Sequence, residues 1–494
     1  MLFNSIEFLL FFPTVCLVYF VIPHKIRYIF LLIASYYFYM CWNPTYAFLL
    51  AVSTVITYLS GILIKITPPG VLRTASPKLW VALSFTLNLL ILIFFKYFDF
   101  LASNLSSLLS LVNISMSVPK LDILLPVGIS FYTFQALSYT MDVYRGEIEP
   151  QKNILKYALF VSFFPQLVAG PIERSKNLLH QIDERHCFNA DNAKSGILLM
   201  LWGYFLKLVI ADRIAVIVDQ VYMNYQMYTG FYLIVATFFF AVQIYCDFYG
   251  YSAIAKGAAE VMGFRLMNNF DTPYLSTSII EFWNRWHISL TSWFRDYLYI
   301  PLGGNRKGKL RKYLNTMIVF LVSGLWHGAN WSFVVWGGLN GLFQITSSVT
   351  KKARDAIASR FKINRDCFSH KLISIVFTFI LVSFTWIFFR AESLSDAFQI
   401  IRRMFIDLNP GVLFDESLYT LGLNRENVSL ALISIGILLF AGILRRRNFN
   451  FISFLNKQEL WFRWGFIIAA LLFVLIFGYY GPEFSAASFI YFQF

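Results

Sequence analysis

The chain has 494 residues, of which 58% are hydrophobic and only 14% are charged, and its formal net charge is +14. Soluble domains carry about 25% charged residues, so this composition excludes an ordinary soluble protein and indicates a polytopic membrane protein. Lys and Arg collect in the cytoplasmic loops of such proteins, and we therefore expect contact with membrane lipid and no nucleic-acid partner. Five cysteines without Cys-x-x-Cys spacing and six scattered histidines predict neither a metal site nor a disulfide framework.

Twelve apolar segments approach the length of about 20 residues that a membrane crossing requires. They are 6–22, 28–42, 45–64, 79–101, 124–144, 196–218, 231–249, 313–326, 331–348, 371–389, 429–444 and 461–480. The first lacks a positively charged leader and a small-residue cleavage site, so we interpret it as a retained helix. A shorter apolar segment, 157–171, predicts a re-entrant or interfacial helix. We expect one membrane domain over 1–494, with a core of about 1–390, C-terminal helices in 391–480 and an extracellular tail, 481–494.

The distribution of charge predicts the orientation of these helices, because Lys and Arg are enriched on the cytoplasmic side. Residues 306–312 hold five positive charges and no acid, and residues 351–371 hold seven against two. A third basic loop begins at residues 445–447. By contrast, residues 390–428 hold six acids against four Arg. The basic loops should therefore be cytoplasmic, and alternation of the helices then puts both termini outside.

One histidine, His327, lies where an ionisable side chain is costly. Apolar segments precede and follow it, and an ionisable group inside a membrane indicates a functional site. The helix that begins at residue 313 is roughly 21 Å long when it reaches His327, which is short of a hydrocarbon core of about 30 Å. A neutral imidazole suits a general base near pH 7. The alternative is a buried imidazole that only forms a hydrogen bond, to a backbone carbonyl or to Asn330.

A second candidate segment, 281–296, has the spacing of one amphipathic helix lying at the membrane interface. Aromatic and apolar residues recur on one face, and polar residues form a stripe beside them. The stripe consists of Asn284, His287, Thr291 and Arg295. In one interpretation this stripe belongs to an active site, and in the other His287 is merely solvated on the membrane surface.

Three further segments place polar residues among apolar ones. They are 126–145, which includes Gln135 and Asp142; 165–174, which includes Gln166 and Glu173; and 246–252, which includes Asp247. Each alone is explained by a helix end or a packing hydrogen bond. Their number favours a polar tunnel through the protein.

Several of these motifs together resemble the membrane-bound O-acyltransferase (MBOAT) superfamily, and most closely its bacterial, alginate O-acetylase-like branch. The matching segments are 125–131, 167–172, 282–287, 293–297 and 324–328. The resemblance covers about residues 1–390 and implies an all-α membrane fold, a ring of about 11–12 transmembrane helices with re-entrant helices around a central funnel. It also implies that His327 is the catalytic residue and His287 its supporting histidine. We take as further supporting residues Asn284, Trp326, Asn330, Arg295 and Asp296.

The resemblance implies an O-acyltransferase of the bacterial cell membrane that acts on a cell-envelope polysaccharide. The expected donor is acetyl-CoA or another cytoplasmic acyl thioester, with no bound cofactor, and the expected partner is an extracellular SGNH-type acyltransferase. Two alternatives stay open. One is D-alanyl transfer from a carrier protein to teichoic acid, and the other is a non-enzymatic exporter of an acyl or lipid-linked sugar.

The last residues, 489–494, resemble the F-x-Y-x-x-F ending found in bacterial members of this family or in small proteins encoded beside them. In that pattern the tyrosine, here Tyr491, is proposed to relay the acyl group to the extracellular transferase. The alternative is that these aromatic rings only anchor the tail at the membrane interface.

Overall fold

The structure is a computed structural model that describes residues 1–67, 76–114, 121, 125–168, 170–406, 408–480 and 489. All the regular elements in this part of the chain are helices, which confirms the predicted all-α class. Six of the described helices are long and apolar enough to cross a membrane. They agree with the composition, which indicates a polytopic membrane protein.

The first ten helices cover the N-terminal part of the chain. They are α1 (Ile6–Val21), α2 (His24–Met40), α3 (Pro44–Ile66), α4 (Pro77–Leu92), α5 (Phe98–Ser110), α6 (Ile129–Tyr144), α7 (Ile154–Ser162), α8 (Phe164–Leu167), α9 (Ser175–Asp183) and α10 (Ala190–Tyr204). A π-helical turn, Ile93–Tyr97, joins α4 to α5, and another, Phe205–Ala211, follows α10.

Twelve more helices follow. They are α11 (Asp212–Met223), α12 (Gly230–Val261), α13 (Ile279–Arg285), α14 (Ile288–Phe294), α15 (Gly308–His327), α16 (Trp331–Val349), α17 (Lys351–Arg360), α18 (Phe368–Arg390), α19 (Leu394–Ile406), α20 (Arg425–Arg446), α21 (Phe451–Asn456) and α22 (Leu460–Phe477). Each of the twelve apolar segments predicted from the sequence coincides with a helix, and the segment 196–218 continues from α10 through the π-helical turn into α11.

The described residues form two compact units. One comprises Met1–Met200 with Ser252–Met267, and the other comprises Leu201–Tyr251 with Asn268–Phe494. Both candidate histidines belong to the second unit. That the whole chain acts as one domain stays a prediction.

Buried hydrogen bonds join three helices of the first unit, α3, α4 and α7. The Ser53 hydroxyl on α3 donates to Oδ1 of Asn88 on α4 over 2.5 Å, and the Tyr157 hydroxyl on α7 donates to Thr57 on α3 over 2.7 Å. All four side chains are buried. Such bonds commonly join membrane helices, because lipid tails are as apolar as the side chains and burial of apolar surface therefore does little to drive helices together.

The short apolar segment predicted to be re-entrant forms α7 and α8. Most of its side chains are buried, among them Phe160 and Phe164, so protein covers these two short helices. Backbone that is not part of a long helix is tolerated at membrane depth only under such cover. Residue 169, at the end of this segment, lies outside the described residues.

In the second unit, two glycines bring α15 and α16 into close contact. A Cβ atom added at Gly324 would lie 2.2 Å from the backbone oxygen of Phe333, and one at Gly337 would lie 2.2 Å from that of Phe320. Only glycine permits backbones to approach this closely. The resulting hairpin fixes the position of His327, the last residue of α15.

Candidate active site

His327 lies at the carboxyl end of α15, where the helix gives way to extended backbone at Gly328. This is the broken helix that the sequence predicts. The side chain is 5% exposed, so the imidazole is enclosed by protein. The next helix, α16, begins after Asn330.

Aromatic rings surround the His327 imidazole. The centroids of the Trp326, Trp336 and Phe389 rings lie 4.9, 5.0 and 5.2 Å from its own, with interplanar angles of 82°, 85° and 71°. All three rings are buried. They shield the imidazole from water, which strengthens polar interactions made inside this pocket of rings.

His287 occupies a sharp break between two short helices. The prediction of one continuous helix over 281–296 is wrong, because α13 ends at Arg285 and α14 begins at Ile288. His287 itself has left-handed backbone angles, φ 43° and ψ 54°, which no residue inside an α-helix adopts. The break turns His287 into the protein, so the polar stripe does not form one face.

The His287 side chain is buried rather than solvated. It is 1% exposed, and the Phe248 ring packs edge-on against it with centroids 4.6 Å apart. The interpretation of a solvated histidine on a surface helix is therefore wrong. Burial lowers the pKa of His287 to about 3, since a charged imidazole loses its hydration there. His287 is consequently neutral at physiological pH.

Trp326 lies beside both histidines. Its ring centroid is 4.9 Å from that of His327 and 6.1 Å from that of His287. The structure thus brings together three residues that the sequence places in two motifs forty residues apart. Two imidazoles beside one indole form a site that can accept and return a proton.

The other predicted supporting residues have different surroundings. Asn284 is exposed on α13, and the exposed Arg295 forms an ion pair of 2.9 Å with Asp296. The Asn330 amide caps α16 by accepting from the Ser332 backbone N–H over 3.0 Å, and it donates to the Glu392 carbonyl over 2.9 Å. Asn330 therefore stabilises the backbone after His327.

Sequence reasoning missed Asn269 and, of a second buried polar group, Lys207 and Asp212, whereas it named Asp247 among the polar residues in apolar segments. Asn269 lies next to His287, with its Oδ1 atom 3.3 Å from Nδ1 of the imidazole. Lys207 forms ion pairs with Asp212 over 2.8 Å and with Asp247 over 2.7 Å, and all three side chains are buried. The sequence does contain a signal for the second group. Lys207 lies inside an apolar segment, five residues before Asp212, and such a lysine is unusual in a membrane helix.

Tyr491 lies outside the described residues, but Phe489 is described. The Phe489 ring is fully buried, with its centroid 4.5 Å from that of Tyr251 and 5.8 Å from that of Phe248. Phe248 also contacts His287. The Phe248 ring thus contacts both His287 and Phe489.

Comparison with known proteins identifies relatives of the chain. The model of the membrane-bound O-acyltransferase family matches residues 147–391, which include both histidines. A probable alginate O-acetylase of Azotobacter vinelandii is 39% identical over 406 residues, covering 82% of this chain and 78% of that protein. A peptidoglycan O-acetyltransferase of Helicobacter pylori is 34% identical over 400 residues, covering 76% and 73%. A teichoic acid D-alanyltransferase of Bacillus subtilis is 28% identical over 224 residues, covering 43% and 56%.

The family model and the long matches agree with the motifs around the two histidines. The chain belongs to the membrane-bound O-acyltransferase family and is an integral membrane O-acyltransferase.

Proposed function

We propose that this protein takes an acetyl group from a cytoplasmic thioester donor and delivers it across the bacterial inner membrane for O-acetylation of a cell-envelope polysaccharide. The observation that carries the proposal is the buried His327 at the break that follows α15, with His287 bordering the same indole ring. The two O-acetyltransferase relatives support the choice of acetyl as the transferred group.

In this proposal His327 is the general base. It removes the proton from an acceptor hydroxyl while that oxygen forms a bond to the carbonyl carbon of the thioester. The carbon–sulfur bond then breaks, and the leaving thiolate takes the proton from the imidazolium. The reaction consumes no net proton, and a positioned base of this kind contributes about 10²–10⁴-fold in rate. Trp326 positions the thioester carbonyl, and its indole N–H suits an oxygen that gains negative charge.

The donor is proposed to be acetyl-CoA, approaching from the cytoplasm. The exposed basic residues of 306–312 are suited to an anionic donor, either a nucleotide-bearing thioester or an acidic carrier protein. The acceptor hydroxyl is proposed to be that of Tyr491, which then passes the acetyl group to an extracellular SGNH-type transferase. The buried Phe489, two residues before Tyr491, supports a tail that reaches the protein core.

Transfer of a D-alanyl group from a carrier protein is less well supported. The teichoic acid D-alanyltransferase of Bacillus subtilis matches 43% of the chain, whereas the two O-acetyltransferases match 82% and 76%. A non-enzymatic exporter does not fit a chain that belongs to an acyltransferase family.

Substitution of His327 tests the proposal. We expect His327→Ala to reduce polysaccharide acetylation to near background, a loss of about 10²–10⁴-fold, because the general base is removed. The measurement is acetate released by mild base from purified polysaccharide, in cells that lack the wild-type gene and express each variant.

His180→Ala is the matched control, because the His180 side chain is 58% exposed and lies on α9, in the other unit. It should retain wild-type acetylation at equal protein level. Wild-type acetylation in the His327→Ala cells would contradict the catalytic role of His327. Another group would then have to remove the proton from the acceptor hydroxyl.

A further inference from the structure

The backbone on either side of His287 is held by a neighbouring segment of the chain. The Asp271 N–H donates to the Arg285 carbonyl over 3.0 Å, and the Ile288 N–H donates to the Asn269 carbonyl over 2.9 Å. These two hydrogen bonds bracket His287 and fix both ends of the break between α13 and α14. Asn269, at one end of the neighbouring segment, is 3% exposed.

His287 adopts a backbone conformation that costs free energy. A φ of 43° is uncommon for any residue other than glycine, and such strain persists only where surrounding contacts enforce it. The bracketing hydrogen bonds supply that enforcement. Strained residues cluster at functional sites, where the conformation directs a side chain that the site needs.

The hydrogen bonds of the Asn269 side chain determine which of its two terminal amide atoms is the oxygen. Its Oδ1 atom accepts from the Ser289 hydroxyl over 2.6 Å and faces the Ser289 backbone N–H at 3.4 Å. A backbone N–H can only donate, so the atom that faces it must be the amide oxygen. The same oxygen lies 3.3 Å from Nδ1 of His287.

This arrangement fixes the tautomer of His287. An amide oxygen has no proton to give, so the hydrogen bond requires that Nδ1 of His287 carries the proton and donates. A neutral imidazole carries a single N–H, and burial lowers the pKa of His287 to about 3, which keeps it neutral. The lone pair that can accept a proton is therefore on Nε2.

We propose that Asn269 is a positioning residue that holds His287 in the Nδ1–H tautomer and so leaves the Nε2 lone pair as the hydrogen-bond acceptor with which this histidine supports acyl transfer. The effect on rate rests on the proposed function, whereas the tautomer is a property of the resting protein. Positioning by a hydrogen-bonded partner is effective in other enzymes, where an orienting residue that imposes the wrong tautomer costs about 10⁴-fold in kcat.

Three substitutions separate positioning from structural support. Asn269→Leu keeps the side-chain branching at Cγ but removes the acceptor, so His287 can exchange tautomers and kcat should fall about tenfold or more. Asn269→Asp keeps an acceptor at the same place and should retain the Nδ1–H tautomer. Asn268→Leu makes the same change on the adjacent, exposed asparagine and should leave kcat unchanged.

Asn269→Asp also predicts a shift in the pH profile. A carboxylate beside Nδ1 stabilises the charged imidazolium and raises the pKa of His287 from its low value. Because only the neutral imidazole has a lone pair at Nε2, activity is present above this pKa and lost as the pH falls through it. The acidic limb of the kcat profile should therefore move to higher pH in Asn269→Asp. A purely structural role for Asn269 would not move it.

The tautomer itself is measured by ¹⁵N NMR of the full-length protein, labelled at histidine and reconstituted in lipid nanodiscs. His287→Gln identifies the signals of this residue among the six histidines. We expect a protonated Nδ1 and an unprotonated Nε2 in the wild type and in Asn268→Leu, and a loss of that pattern in Asn269→Leu.

A protonated Nε2 in the wild type, or an unchanged His287 signal in Asn269→Leu, would overturn the proposal. The expected signals combined with full activity of Asn269→Leu would also overturn it, because the tautomer would then have no bearing on the reaction. Failure of the proposed function looks different: His327→Ala would stay active while the NMR pattern of His287 remained as expected.

Discussion

At the scale of single residues, the candidate site owes its character to aromatic rings that enclose polar side chains. His327 is surrounded by Trp326, Trp336 and Phe389, with interplanar angles above 70°. Such edge-on contacts place the positive edge of one ring against the negative face of another. The rings thus pack against His327 and exclude water from it. Exclusion of water suits an acyl transfer that must avoid hydrolysis of the donor.

The sequence names His287 and His327 as candidates, but it does not predict the contacts that surround them. His327 and Trp326 were predictable because a polar residue inside an apolar segment is a local signal. Asn269 was not, because it lies eighteen residues before His287 and reaches it only through a break that helical spacing did not predict. For the same reason the predicted stripe with Arg295 was wrong.

Tyr491→Phe tests the acyl relay, since it keeps the ring and removes only the hydroxyl. We expect polysaccharide acetylation to fall to near background, because the phenol oxygen would be the atom that carries the acetyl group. A phenol, with a pKa of about 10, leaves an ester more readily than an alkyl alcohol does. The measurement is acetate released from purified polysaccharide at equal protein level.

Phe492→Tyr is the matched control, because it adds a hydroxyl to a neighbouring ring and leaves Tyr491 intact. It should retain acetylation. If Tyr491→Phe acetylates as well as the wild type, the tail only anchors the chain and the acetyl group takes another route.

At the scale of helices, a buried ion cluster holds the junction of α10 and α11. Lys207 lies in the π-helical turn Phe205–Ala211 and pairs with Asp212 on α11 and Asp247 on α12. π-Helical turns inside α-helices often mark functional or strained positions. The Lys207 ammonium also lies 5.3 Å from the centroid of the Tyr251 ring, which in turn contacts Phe489.

The extent of each helix was largely predictable, whereas the cluster was not. Length and hydropathy are local properties, so the apolar segments coincide with helices. The pairing of Lys207 with Asp247 joins residues forty positions apart on different helices, which no local pattern encodes. The positions of the apolar helices follow from the sequence, but the break at His287 and the partners of buried charges follow from packing.

Lys207→Met should destabilise the protein by about 3–5 kcal/mol, because it leaves two buried carboxylates without their shared cation. Lys65→Met removes a cation of similar size from an exposed pair with Glu149, whose side chains are 60% and 78% exposed, and should cost less than about 1 kcal/mol. The free energy of unfolding is measured by denaturant titration in detergent. Equal stabilities of the two variants would show that the buried cluster contributes nothing.

At the scale of the whole molecule, the helices differ in how much of their surface other parts of the protein cover. In α12 67% of the most apolar stretch is buried, against 6% in α22. The exposed apolar surface of α22 is suited to lipid, because membrane helices at a bundle periphery have no need of polar outer faces. Buried charges such as Asp247 correspondingly lie on α12.

The distribution of charge along the chain predicts how it is inserted. Residues 306–312 should face the cytoplasm and residues 390–428 the outside, since loops rich in Lys and Arg are retained on the cytoplasmic side. Lys309 and Glu416 are exposed representatives of the two loops. Single cysteines at these positions, in a variant without the five native cysteines, report the side of each loop.

We expect a membrane-impermeant maleimide to label Lys309→Cys only in inside-out inner-membrane vesicles and Glu416→Cys only in right-side-out vesicles. The cysteine-free parent is the blank in both preparations, and detergent solubilisation should make both cysteines reactive. The reverse pattern would invert the predicted topology. It would also place the basic surface away from a cytoplasmic thioester, and the proposed route of the acetyl group would then fail even if His327 were the catalytic base.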